Sequence, residues 1–140
     1  MSVNQVITSK GVMTYSDSGW AYLQCCRETQ KYYQYWLRKC GVFVDTPIWK
    51  SHISVVRGDG LPDLDYWGKH EGEEVDFFYR PRDLGFNGMY WWLDVESPQI
   101  EQIRIELGLE PDPKYDLHLT IGKEQHRRIG CCYGQQMVKG

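Results

Sequence analysis

An α+β fold built from two related halves is what this 140-residue sequence predicts, and three observations carry the prediction. The order strand, strand, helix, strand can be read twice along the chain. Each reading ends on a strand that holds a triplet of the form His-x-Ser or His-x-Thr. Charged residues at 25% and apolar ones at 41% give a globular composition in which helices can cover antiparallel sheets. A chain of this length makes one domain (residues 1–140) and buries about 68–70% of the surface its unfolded form exposes, enough for a core without staples. The first half spans about residues 10–57 and the second about 74–122, and a locally basic tail fills 123–140.

The elements follow in order. "GVMTY" (Gly11–Tyr15) and "WAYLQC" (Trp20–Cys25) flank the turn former "SDSG" and predict a hairpin. "RETQKYYQYWLRKC" (Arg27–Cys40) sets Tyr32, Tyr35, Trp36 and Cys40 at helical spacing, and Gly41 follows as a stop. Pro47 introduces the strand with His52. Turn formers crowd residues 58–74, which predicts a long surface connection. Val75–Arg80 is the next strand, "PRDLGFNG" a loop with an Asn87-Gly88 turn, and Met89–Val95 a further strand. In that strand Tyr90, Trp91 and Trp92 read as core and sheet face. Ser97 is placed to cap a helix with Pro98 at its first position; Ile100, Ile103 and Leu107 give it an apolar stripe, and Gly108 ends it. The strand with His118 closes the chain's second half. The halves share little residue identity, so the architecture repeats and the letters do not. Two such halves enclose a cleft that their last strands can line.

Bulk properties exclude several function classes. A net charge of -3 argues against coating DNA or long RNA, which needs a basic footprint. The first ten residues lack the basic flank and apolar stretch of an export signal, and no run of 18 apolar residues predicts a membrane span. Five cysteines without a C-x-x-C are expected as reduced thiols in a cytoplasmic protein. Cys131, Cys132 and His126 do not have the spacing of common structural zinc sites, so neither metal nor other cofactor is expected.

The two triplets are where the chemistry concentrates. Side chains alternate faces along a strand, so His52 and Ser54 share one side, as do His118 and Thr120. Ile53, Val55, Leu119 and Ile121 take the other side, the core face. With four His and twelve Ser or Thr in the chain, chance gives about 0.3 such triplets, and two arise by chance in roughly one sequence in twenty. Two imidazoles near pKa 6.5 can divide acid and base roles at neutral pH. The neighbouring hydroxyls can donate hydrogen bonds to phosphate oxygens. An imidazole on each side of a phosphorus suits in-line displacement. Arg57 and Lys123, just past the triplets, could meet phosphate, and Tyr15 and Trp67 are candidate platforms for a stacked base. His70 and His126 have no Ser or Thr two residues on and receive no role.

Paired "HIS" and "HLT" closing two strand-strand-helix-strand halves resemble the 2H phosphoesterase superfamily over about residues 10–123. "WGKHEGEEVDFFY" and "YWWLDV" are similar to phage-borne, RNA-repair-like members. The resemblance implies a two-lobed fold around a cleft and a metal-independent phosphodiesterase acting on nucleotides. It implies His52 and His118 as the acid/base pair and Ser54 and Thr120 as phosphate holders, with the base and acid unassigned. Members act on 2′,3′-cyclic phosphates, on 2′–5′ oligoadenylates or, in phage anti-CBASS proteins, on cyclic oligonucleotide immune signals. A cyclic oligonucleotide in the host cytoplasm is therefore the expected substrate. A small RNA-type nucleotide end is the alternative, and a module that sequesters a nucleotide without cutting it is another.

Overall fold

The computed structural model describes residues 5–58, 60–113 and 116–125. The readings on His126, Cys131, Cys132 and most of the basic tail lie outside them. In chain order the elements are β1 (Ile7–Tyr15), β2 (Trp20–Gln24), α1 (Glu28–Lys39), β3 (Val44–Asp45), β4 (His52–Arg57), β5 (Glu74–Phe86), β6 (Tyr90–Glu96), α2 (Pro98–Glu106) and β7 (His118–Glu124). The architecture is α+β, as the sequence predicts. The strands, however, form one continuous sheet in the order β3-β7-β6-β5-β1-β2-β4, with every pair antiparallel. The reason is that β1 and β5, the opening strands of the two halves, pair directly from Ile7↔Tyr79 to Val12↔Glu74. Outward from that pair the order repeats on each side: opening strand, second strand, histidine strand.

The sheet is curled. Four strands stand between β4 and β7, so a flat sheet would hold them about 24 Å apart at about 4.8 Å per step. Instead their Cα atoms come within 8 Å of each other. One face of the sheet carries the core, in which Met13, Leu23, Ile53, Leu93, Leu119 and Ile121 are fully buried beneath Tyr33 and Leu37 of α1 and Ile100 and Ile103 of α2. Burial of each such aliphatic side chain contributes about 1.5–3 kcal/mol. His52, Ser54, His118 and Thr120 stay half-buried on the opposite face.

Three elements depart from the sequence expectation. In α1 the residues turned inward are Gln30, Tyr33 and Leu37, and the aromatic stripe Tyr32, Tyr35 and Trp36 is the exposed face. The expected loop 81–88 is largely strand. Pro81 falls inside β5 where the register jumps between Tyr79 and Leu84, an irregularity that tolerates a residue without an N–H. β3 joins β7, the histidine strand of the other half. Gly122 permits that approach, since a Cβ there would stand 2.7 Å from the Asp45 carbonyl oxygen. In α2 the Ser97 Oγ accepts from the Ile100 N–H at 3.2 Å, the cap the sequence predicts. Among the described residues no helix is long and apolar enough to cross a membrane.

Candidate active site

Each histidine strand carries the same irregularity. In β4, Tyr22 opposes Ser54 and Ala21 opposes Val56, so Val55 is an extra residue in a β-bulge. In β7, Trp92 opposes Thr120 and Trp91 opposes Gly122, which makes Ile121 the extra residue. Both bulges fall three residues after the histidine. Their effect is geometric. Strict alternation from His52 would turn Arg57 to the apolar face, and strict alternation from His118 would do the same to Lys123. The bulge restores both to the histidine face, where Arg57 opposes Trp20 and Lys123 opposes Tyr90.

Two matched constellations result. On one flank the cross-strand pairs are Gln24 with His52, Tyr22 with Ser54 and Trp20 with Arg57. On the other they are Asp94 with His118, Trp92 with Thr120 and Tyr90 with Lys123. Each hydroxyl thus faces an aromatic ring across the ladder. The histidines themselves are held alike. His52 Nδ1 lies 2.7 Å from the Lys50 carbonyl oxygen, and His118 Nδ1 lies 2.8 Å from that of Asp116. A carbonyl only accepts, so each Nδ1 carries a hydrogen and each Nε2 is the ring atom left to meet a ligand. Among the described residues neither Nε2 has a hydrogen-bond partner.

The two sites are near enough to interact. Burial, then the Arg57 guanidinium and the His118 ring, lower the His52 pKa below the usual imidazole value, and together they outweigh the Lys50 carbonyl, which favours the charged form. Trp20 and Tyr22 pack against the His52 ring. Their ring centroids stand 5.2 and 5.9 Å from the His52 ring in edge contacts, and they stack on each other at 4.3 Å. Trp20 Nε1 also donates to Ser54 Oγ at 3.1 Å, so the Ser54 hydroxyl hydrogen remains available to a ligand.

A cavity of about 660 Å³ opens on this face, within the range of small-molecule sites. Its lining joins His118, Thr120 and Asp116 to Tyr90, Trp92, Asp94 and Asn87, and Arg57 closes it from β4. Trp92 lies over Gly85, which has no side chain to lift it, and its Nε1 donates to Asp94 Oδ1 at 3.0 Å. A neighbouring cavity of about 390 Å³ shares Asp94 and Asp116 and adds Asp83, Glu96, Glu101 and Asp112.

Of the residues singled out in the sequence, His118, Thr120 and Arg57 line the cavity, His52 and Ser54 share its sheet face without lining it, and Lys123 stands on that face beside Tyr90. Tyr15 and Trp67 do not line the cavity. Tyr15 shares the Met13 side of β1, opposite Ala21. It meets Trp67 edge-on at 5.0 Å, and both pack against the core. Tyr90 and Trp92, read as core and sheet face, line the cavity, and only Trp91 between them packs inward. Trp20, Tyr22 and Asp94 were not singled out at all. Their signal lies in cross-strand partnership, which one strand's alternation does not reveal. His70, without a role in the sequence reading, bridges Glu73 at 2.9 Å and Glu106 at 2.7 Å and ties the 58–73 connection to α2. Comparison of the chain with family models, with curated proteins and with solved structures gave no match.

Proposed function

We propose that the chain is a metal-independent phosphodiesterase of the 2H type, with His52 as general base and His118 as general acid. The observation that carries the reading is the convergence of two matched histidines, each with Nδ1 held by a carbonyl and Nε2 left open, from strands that a flat sheet would keep far apart. The lowered pKa of His52 keeps it neutral at pH 7, the state a base needs. Its Nε2 takes the proton of a ribose 2′-OH. The 2′-oxygen attacks the adjacent phosphorus, and the 5′-oxygen leaves opposite, carrying the proton given by His118 Nε2. A linear product ending in a 2′,3′-cyclic phosphate forms. Ser54 and Thr120 donate to the non-bridging oxygens, and Arg57 balances their charge. Each imidazole contributes about 10²–10⁴-fold in rate.

The substrate class we infer is a cyclic oligonucleotide signal of the kind that phage anti-CBASS members of the superfamily degrade. A partly exposed indole flanks each hydroxyl, Trp20 by Ser54 and Trp92 by Thr120, which suits a phosphate with a nucleoside on either side. A 2′,3′-cyclic mononucleotide offers one base only. The carboxylates of the adjoining cavity disfavour a long polyanion on that side. The test is a panel of cyclic dinucleotides and trinucleotides, 2′–5′ oligoadenylate, 2′,3′-cyclic mononucleotides and a 20-mer RNA, each incubated with enzyme in EDTA. Cleavage of the cyclic oligonucleotides that disappears in His52→Ala and in His118→Ala is the expected result. Turnover unchanged in either variant overturns the mechanism. Tight binding without turnover identifies a sequestering module instead.

A further inference from the structure

A bulged residue is left out of the ladder, and a buried carbonyl without a partner costs about as much as a lost hydrogen bond. Here both bulge carbonyls are met, and each by the helix of the opposite half. Arg104 of α2, only 1% exposed, donates from one guanidinium nitrogen to the Val55 oxygen of β4 at 2.7 Å and from Nε to the Glu110 oxygen at 2.8 Å. Gln34 of α1 donates to the Ile121 oxygen of β7 at 2.9 Å. One turn earlier Gln30, equally buried, donates to the Thr120 oxygen at 2.8 Å and accepts from Arg27 at 3.0 Å, which fixes the orientation of its amide. Arg104 and Gln30 are buried polar side chains with no role in an apolar core, Gln34 is half-buried, and all three donate to the backbone of a site residue or of its neighbour.

We propose that Arg104 and Gln34 are crossed positioning residues, each helix holding open the bulge that orients the other half's histidine. Arg104 keeps Val55 out of the ladder and so holds the strand end by His52 and Ser54 in place, with Arg57 brought onto their face. Gln34 does the same for His118, Thr120 and Lys123. The arrangement ties the geometry of each imidazole to the packing of the opposite half, so neither flank of the cleft is assembled until both helices are docked.

The test reads the rings directly, and its spectroscopic arm does not depend on the phosphodiesterase reading. In protein labelled with 15N-histidine, Arg104→Met is expected to move the ring nitrogen resonances of His52 and leave those of His118 in place. Gln34→Leu is expected to do the reverse, and Arg104→Lys to return His52 part of the way. Residues that only glue helix to sheet would leave both rings unmoved in the folded variants. That result, or movement of both rings together, overturns the proposal. If Arg104→Met does not fold, Gln34→Leu at its half-buried position carries the same test. On a cleaved substrate, each variant is expected to lose about 10²-fold in kcat, the effect of misplacing a catalytic group by about 1 Å, with KM little changed. A wild-type protein that cuts nothing while its rings respond crosswise would retire the proposed function and leave the positioning roles standing.

Discussion

Gly85→Ala puts the geometry of the cleft under direct strain. The added Cβ would stand 2.8 Å from Trp92 Cε2 and Cζ2 and 3.1 Å from its Nε1. Carbon atoms rest at about 3.5–4.0 Å, so the indole must retreat by about 0.7–1.2 Å and strain its hydrogen bond to Asp94. Overpacking of this kind costs about 1–3 kcal/mol. Gly85 does not hold a positive φ, so the backbone adds no penalty and the whole effect comes from the ring. That claim has a clean assay. Urea unfolding of the wild type, Gly85→Ala, Trp92→Ala and the double variant closes a cycle in which Gly85→Ala is expensive only while Trp92 is present. The expected coupling is about 1–3 kcal/mol. Costs that add to within about 0.5 kcal/mol would show that the ring does not rest on Gly85. The same variants report function: loss of a stacking platform worth about 1–3 kcal/mol raises KM for a nucleotide about 5- to 150-fold in Trp92→Ala. Unchanged affinity in that variant would remove Trp92 from the substrate site.

Two further predictions concern pH. The profile of kcat/KM is expected to be bell-shaped, with its acidic limb below pH 6.5 because burial, Arg57 and His118 lower the pKa of His52; a flat profile between about pH 5 and about pH 9 contradicts paired imidazoles. Stability should carry opposite signatures from two histidines. Burial opposes protonation of His70, but hydrogen bonds and charge from Glu106 and Glu73 prevail and raise its pKa. The stabilisation of wild type over His70→Gln is therefore full below about pH 6.5 and fades as the pH rises through the raised value. For His52, lowered in the fold, stability is lost as the pH falls from about 6.5 through the lowered value, and His52→Gln removes that loss. Urea midpoints across about pH 5–9 read both, and parallel slopes for the wild type and either variant would refute the assignment for that residue.

Much of the fold was legible because local signals and global packing agreed. The Ser97–Pro98 start of α2, its stripe of Ile100, Ile103 and Leu107, and the Gly108 stop all appear where caps and periodicity put them. Alternation alone placed His52 with Ser54 and His118 with Thr120. What escaped reading depended on partners. The exposed aromatics of α1 look like a core stripe until Gln30 and Gln34 are seen to serve β7 carbonyls. "VVR" and "IGK" gave no sign of bulges, because two inward residues in a row read as ordinary burial, and without the bulges the placement of Arg57 and Lys123 had no geometric basis. Pro81 argued for a loop, and only the broken register of β5 explains how a strand accommodates it. Tyr90 and Trp92 became site residues once Lys123 and Thr120 were known to face them.

The central claim is that two imidazoles divide acid and base work on a single phosphorus. A cyclic dinucleotide with sulfur in place of the bridging 5′-oxygen tests it most directly, since a thiolate leaves without a proton. Under EDTA, His118→Ala should cleave this substrate at close to the wild-type rate while remaining about 10²–10⁴-fold impaired on the oxygen substrate, and His52→Ala should be impaired on both. Equal impairment of the two variants on both substrates, or rescue of His52→Ala alone, would contradict the account.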